Sequence, residues 1–313
     1  MSDIDKQRVE QEAWRHAGAA VHTTRYSDAV NRYLAATGYA EAARPPAPGA
    51  PKPEPVVTTV SRPAGVVVVG VDETPTSYTA VDHAAIEAEL RGWDLRLLHV
   101  QHTGGIHPPG HDAAVRLLER MADRVRAYSP AVTVTSRIEV GAAAPLLLSD
   151  AHDASLVVVG HRHSATGMAF GLSVADRVAA HRTGPVLVVR VPGWPPGPDF
   201  GTRPLLVGVD GSPASEPVVA FAIDEARARG CDVILLHAAG AGAAPEELES
   251  HDGVLVRRRV VAGDPVSALI DASGSAAAVV VGRRGPGGFA SSLLGSVSRA
   301  LVQRAMCPVF LVG

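Results

Sequence analysis

Eight short runs of Val, Leu and Ile punctuate the chain without the alternation that a half-exposed strand would show. They are "VVVVGV" (Val66–Val71), "LRLLHV" (Leu95–Val100), "SLVVVG" ending at Gly160 and "PVLVV" (Pro185–Val189). A second set follows: "LLVGV" (Leu205–Val209), "VILLHA" (Val233–Ala238), "AAVVVG" ending at Gly282 and "PVFLV" (Pro308–Val312). Continuous apolar runs of this length predict strands buried on both faces. Helical stretches separate them, at Thr79–Arg91, Asp112–Tyr128 and Glu216–Arg229. Strand and helix in alternation predict an α/β fold with doubly wound parallel sheets, right-handed crossovers and helices on both faces.

The two sets are copies of one another. Asp72 maps to Asp210 at an offset of 138, which also carries "LRLLHV" onto "VILLHA"; Gly160 maps to Gly282 at 122, and Val189 to Val312 at 123. Four anchors in the same order define an internal repeat. The sixteen-residue drop in offset (138 − 122) places a shortening between the second strand of the second copy and Gly263. Only "PEELES" (Pro245–Ser250) fills that interval, and it reads as a helical stub. Arg257, Arg258 and Arg259 fall on the strand before Gly263, where alternation predicts a solvated edge. The domains are thus residues 64–193 and 201–313, joined by "WPPGPDFGTRP". Both copies end in apolar strands that would aggregate if left bare, so they are expected to pack on each other there as an intramolecular pseudo-dimer.

Residues 1–63 stand apart. Residues 1–43 read as helical, with Tyr26, Val30, Tyr33, Leu34 and Thr37 on one face, and "RPPAPGAPKPEP" (Arg44–Pro55) is a proline-rich linker. Two readings are open for this extension: it docks on the tandem domains or a protein partner, or it is largely disordered. In either case it is expected to be dispensable for nucleotide binding.

Composition removes several classes of function. The chain has 313 residues, is 46% hydrophobic and carries a formal net charge of −3 with no long basic run, which argues against nucleic acid or an anionic membrane as partner. No apolar stretch is long enough to span a bilayer, no secretory signal opens the sequence, and two cysteines without metal-like spacing suit a cytoplasmic location. Its two lysines, Lys6 and Lys52, both precede the repeats. A Walker-type P-loop, a kinase strand lysine and a Schiff-base nucleophile are therefore excluded from both domains.

The stretch Val281–Arg299, "VGRRGPGGFASSLLGSVSR", carries the chemistry. Gly282, Gly285, Gly295 and Ser296 form the spacing G-x2-G-x9-G-S between a buried strand and a helix start. Ligands of an open α/β sheet sit beyond the carboxyl ends of its strands. Glycines let the backbone approach a phosphate closely, and the free N–H groups of Ser296, Val297 and Ser298 open a helix whose positive end attracts anions. Arg283 and Arg284 add charge beside the loop.

With "VGVDGSPAS" and "ILLH", this spacing resembles the ATP signature of the universal stress proteins, over about Ala64 to Gly313. The resemblance implies ATP as ligand, with Mg carried only through the phosphates. It places Asp210 against adenine or ribose, Ala238 along the adenine pocket, and Gly282, Gly285, Gly295, Ser296 and Val297 around ribose and phosphates. Asp210 has an alternative role as the acceptor of its own "DGSPAS" turn. In the first copy Asp72, Val100, Gly160, Ser173 and Val174 match. His163 replaces the second glycine and Leu172 the third, and the loop is one residue shorter, so this site is expected to be weakened or lost. The pairs His107–His111 and His161–His163 read as solvated loop histidines, and His99 and His237 as partners of core or backbone groups.

Three functional readings follow. The first is a nucleotide-responsive regulatory or signalling module that is not an enzyme, to which the resemblance adds a stress role. The second is an enzyme of the same fold with slow ATP hydrolysis or adenylyl transfer. The third is a structural pseudo-dimer that binds no nucleotide.

Overall fold

In the computed structural model the described residues are 24–36, 65–101, 111–161, 173–190, 194, 199–239, 245–284 and 294–313. Helix α1 (Arg25–Ala36) precedes the first copy. That copy contains β1 (Val66–Val71), α2 (Pro75–Arg91), β2 (Asp94–Gln101), α3 (His111–Tyr128), β3 (Val134–Val140), α4 (Ala143–Asp150), β4 (Leu156–Gly160), α5 (Val174–His181) and β5 (Val186–Val189). The second copy contains β6 (Leu205–Val209), α6 (Glu216–Arg229), β7 (Val233–Ala239), β8 (Glu247–His251), β9 (Val254–Ala262), α7 (Pro265–Ser273), β10 (Ala278–Gly282), α8 (Ser296–Arg304) and β11 (Val309–Val312).

The two copies share one 11-stranded sheet, in the order β3-β2-β1-β4-β5-β11-β10-β6-β7-β9-β8. Within each copy the wound strands run parallel. The copies meet where β5 pairs antiparallel with β11, Leu187 opposite Phe310. The apolar edges at "PVLVV" and "PVFLV" therefore cover each other, as expected of strands that could not stay bare. Neighbouring residues of one strand feed opposite cores. Val67 and Val69 join the cluster under α1, α2, α3 and α6, while Val68 joins the cluster under α4, α5, α7 and α8.

The seam repeats a Glu-x3-Arg pair. Glu87 and Arg91 on α2 sit 138 residues before Glu225 and Arg229 on α6. Arg229, 1% exposed, pairs with Glu87 at 2.5 Å and with Glu225 on its own helix; Arg91 in turn bonds both glutamates. Each arginine thus bridges the copies. Four ions packed together, three of them buried, are tolerable because each charge meets two of opposite sign.

Helix α1 lies over this seam. Tyr26, Ala29, Val30 and Tyr33 are buried, with the Tyr26 ring 4.3 Å from the Arg229 guanidinium carbon. Gly201 permits the approach, since a β-carbon there would lie 2.5 Å from the Ser27 Cα. Arg32 donates to the Tyr128 carbonyl and pairs with Glu89. Of the two readings of the extension, docking on the tandem domains describes the Tyr26–Tyr33 face; the proline-rich linker lies outside the described residues.

Two expectations for the second copy are corrected. "PEELES" forms no helix: Glu247–His251 is strand β8, paired antiparallel with β9 through a two-residue turn in which Asp252 has φ 49° and Gly253 φ 85°. Asp-Gly is the dipeptide that tolerates two successive left-handed residues, so the hairpin has a local cause. Consequently β9 is not the sheet edge. Its Arg258 and Arg259 are exposed and lie 3.8 Å from Glu247 and Glu246, and Arg257 lies 3.5 Å from Asp232.

Candidate functional site: two clefts at the switch points

Each copy reverses its winding between its first and fourth wound strands, β1 and β4 or β6 and β10. A cleft opens there beyond the carboxyl ends, as open α/β sheets require. Both clefts enclose about 540 Å³, within the range that holds a small ligand.

In the second cleft, β6 delivers Asp210, β7 delivers His237 and Ala238, and β10 delivers Gly282 and Arg284; Gly295, Ser296, Val297 and Ser298 close it from the start of α8. Asp210 organises the turn after β6. Its Oδ1 accepts from the Ser212 amide at 2.9 Å and from the hydroxyls of Ser212 and Ser215 at 2.6 and 2.9 Å. Partial burial pushes its pKa up, but the bonds from Ser212 and Ser215 outweigh that and hold it below the ordinary value. The turn-acceptor role is thus present in the geometry. Asp72 repeats it in the first copy, accepting from Thr74 and Ser77.

Among the described residues no side chain caps α8: Gly295 is the N-cap and makes no side-chain hydrogen bond. Ser298 instead donates to the Gly282 and Arg283 carbonyls, fastening the helix start to β10. The first-turn amides of α8 therefore face the cleft without an internal carboxylate on them. Gly295 has φ −63°, which any residue adopts; its requirement is space, because a β-carbon would lie 3.3 Å from the Arg283 carbonyl oxygen.

Arg283 is placed differently from the sequence expectation. It does not line the cleft. Its guanidinium crosses the seam and donates to the Gly313 and Gly184 carbonyls. Burial, with Arg182 and Arg284 nearby, lowers its pKa to about 10. It is a strut between the copies, and Arg284 is the arginine of the cleft. Gly285 lies outside the described residues.

The first cleft brings together all five of its expected residues, Asp72, Val100, Gly160, Ser173 and Val174. His163 and Leu172, the residues expected to crowd it, lie outside the described residues, as do His107 and the rest of 162–172. His161, expected to be a solvated loop histidine, is instead buried at the end of β4, 3.8 Å from the Asp176 carboxylate. His99 bonds the Val71 carbonyl at 2.8 Å, a backbone partner as anticipated. The helix that closes this cleft departs from its counterpart. Ser173 caps α5, accepting from the Asp176 amide at 3.0 Å, while the Asp176 carboxylate accepts from the Ser173 amide at 3.1 Å and hydroxyl at 2.8 Å. Asp176 was missed in the sequence although Ser173-x2-Asp176 is a capping-box pattern. The second copy carries Arg299 at that place.

Comparison with known proteins agrees with this architecture. The family described as the universal stress protein family matches residues 64–190, 201–247 and 239–313. A universal stress protein of Mycobacterium tuberculosis is 34% identical over 287 residues, covering 78% of this chain and 94% of its own. One from Mycolicibacterium smegmatis is 31% identical over 284 residues, covering 79% of this chain and 96% of its own. Among solved structures, a universal stress protein from Archaeoglobus fulgidus superposes with a TM-score of 0.62 at 16% identity, covering 79% of this chain and 95% of its own, a likeness of fold. Among the described residues no helix is long and apolar enough to cross a membrane.

Proposed function

The chain belongs to the universal stress protein family, and from that premise we propose that it is an adenine-nucleotide-responsive regulatory module whose second cleft binds ATP. The observation that carries this reading is the start of α8 at the mouth of that cleft: an N-cap glycine, no capping side chain among the described residues, and Arg284 beside it. Such a helix end supplies amide donors and a positive field to phosphates. Asp210 has its Oδ1 committed to the turn, so Oδ2 is the oxygen for ribose hydroxyls. Ala238 borders the base. Gly282 and Gly295 let the backbone close on the sugar and phosphates, and Ser296 and Val297 present their amides. Mg enters with the phosphates, because among the described residues the lining supplies no set of ligands for it.

The response is read as one of binding rather than turnover. Asp210, a carboxylate of this lining, has its Oδ1 held by its turn and is kept below the ordinary pKa, which makes it a weak general base. His237 is the other titratable side chain of the described lining that could reach a water, so a His237→Ala variant with unchanged ATP hydrolysis is expected. Mass spectrometry of natively purified protein, followed by calorimetric titration of nucleotide-stripped protein, tests the reading. A co-purifying adenine nucleotide and an ATP stoichiometry nearer one than two per chain are expected. No nucleotide and no heat of binding would overturn it.

A further inference from the structure

The helix that closes each cleft is held at its far end by the other copy. Helix α8 starts at the second cleft with Ser296, Val297 and Ser298 and ends at Ala305, its C-cap. The Ala305 carbonyl accepts at 3.1 Å from the guanidinium of Arg190, which follows β5 in the first copy. Helix α5 starts at the first cleft with Ser173, Val174 and Ala175 and ends at its C-cap, Arg182. Two residues on, the Gly184 carbonyl accepts from the guanidinium of Arg283, which follows β10 in the second copy. The repeat does not impose this arrangement, since the counterpart of Arg190 is Gly313 and that of Arg283 is His161. Each brace is built separately, from residues that do not correspond.

A cation at the C-terminal end of a helix reinforces the dipole whose positive end faces the cleft. Arg190 supplies that charge to α8 from the first copy and fixes where the α8 amides stand. Arg283 belongs to both places at once. At the α8 start its carbonyl accepts from the Gly295 amide at 2.8 Å and the Ser298 hydroxyl at 3.1 Å, while its own amide donates to the Val312 carbonyl at 3.1 Å. Its backbone cannot follow a shift of the α8 start without drawing a buried guanidinium off Gly184, and a buried donor left without its acceptor is costly. We propose that the second cleft is a site shared by both copies: Arg190 is a positioning residue for ATP, acting through α8, and Arg283 passes the occupancy of that cleft to the end of α5. The proposal rests on the ATP reading of the second cleft; the braces themselves do not.

Calorimetric titration with ATP and hydrogen exchange, both on the full chain, test this. Arg190→Met should weaken ATP binding about five-fold, ~1 kcal/mol, and Arg190→Lys, which keeps a cation at the helix end, should recover most of that loss. Arg91→Met is the control for a loosened seam: it should lower urea stability and leave ATP affinity at its wild-type value. Saturating ATP should slow amide exchange over residues 178–182 at the end of α5, and Arg283→Gln should abolish that slowing. Where circular dichroism shows a variant unfolded, Arg190→Gln and Arg283→Lys give the same readouts. Unchanged ATP affinity in a folded Arg190 variant, or an equal loss in Arg91→Met, would overturn the proposal. So would α5 exchange that ignores ATP, or slowing that survives Arg283→Gln, which would mean that ATP acts on α5 from the first cleft. A wild type that binds no ATP would refute the second-cleft reading and this proposal with it, whereas ATP binding without these couplings refutes this proposal alone.

Discussion

The cleft between β1 and β4 and the cleft between β6 and β10 start alike and end differently. Both begin with an aspartate whose Oδ1 gathers a backbone amide and two hydroxyls across the next five residues. Both then reach a helix start, where Asp176 sits in one copy and Arg299 in the other. The common part is what a strand needs in order to turn into a helix, and losing it would cost folding. The divergent part touches only what the cleft attracts. Duplication has therefore kept the turn and reversed the charge at the helix end.

The largest effect is expected where the copies are most alike, at the seam. Arg229 is enclosed with Glu87 and Glu225, so Arg229→Met strands two buried carboxylates and should cost about 3–5 kcal/mol in urea unfolding. Arg91→Met should cost less, because the Arg91 side chain is 16% exposed and water can replace part of what it supplied. Equal losses would show that the pseudo-twofold seam is balanced in energy as well as in sequence.

Next comes a group that the second copy lacks. Asp82 on α2, replaced by Ala220 at the 138-residue offset, is 2% exposed and held by Arg124 on α3. Burial raises its pKa from 3.8 to about 6, against the opposing pull of Arg124. The folded state then holds this proton more tightly than the unfolded state. The resulting contribution to stability is full below about pH 4 and is lost as pH rises through about 6. It amounts to roughly 2–3 kcal/mol. Urea midpoints measured across that window should lose this component of their slope in Asp82→Asn. An unchanged slope would assign the pH dependence elsewhere.

Eight strands were legible because strands buried on both faces leave unbroken apolar runs, and the repeat told which runs correspond; β3 went unread because it is largely exposed and leaves no such run. The pseudo-dimer was legible for a related reason, that "PVLVV" and "PVFLV" could not remain as open edges. The β8–β9 hairpin was missed because "PEELES" has helix-forming composition and β8 is exposed along its length, so no apolar alternation marked it; the Asp252-Gly253 turn was the available signal. Tyr26 and Tyr33 announced an amphipathic face, but nothing local says that this face covers four ions from distant helices. In the second cleft, Asp210, Ala238, Gly282, Arg284, Gly295, Ser296 and Val297 share one lining, whereas Arg283 turns to the seam. A long side chain next to a glycine loop can reach either the cleft or the seam, and its acceptors at Gly184 and Gly313 are distant or unmarked in sequence.

A smaller effect should separate the clefts directly. Gly295→Leu gives the second copy the residue that the first carries at Leu172. Its β-carbon meets the Arg283 carbonyl, and the rest of the side chain enters the approach to the α8 amides. Calorimetry should register at least a tenfold loss of ATP affinity, ~1.4 kcal/mol. Because Gly295 has an ordinary φ, the melting curve should move little. ATP affinity that survives the substitution would remove the α8 start from the site.

The smallest expected difference lies in the shared turn itself. Asp210→Ala and Asp72→Ala delete the same acceptor from equivalent turns, each losing one amide and two hydroxyl partners. These partners can turn to water where they are exposed, as around Asp210, so the stability cost should be about 1 kcal/mol in either copy. A turn role alone predicts equal consequences. A ligand role adds a term to one copy only: Asp210→Ala should weaken ATP binding several-fold, by about 1 kcal/mol, while Asp72→Ala leaves ATP affinity at its wild-type value. The comparison cancels the structural contribution, since both variants suffer it. Equal ATP affinities in the two variants would reduce Asp210 to a turn residue, and a loss confined to Asp72→Ala would move the nucleotide to the other cleft.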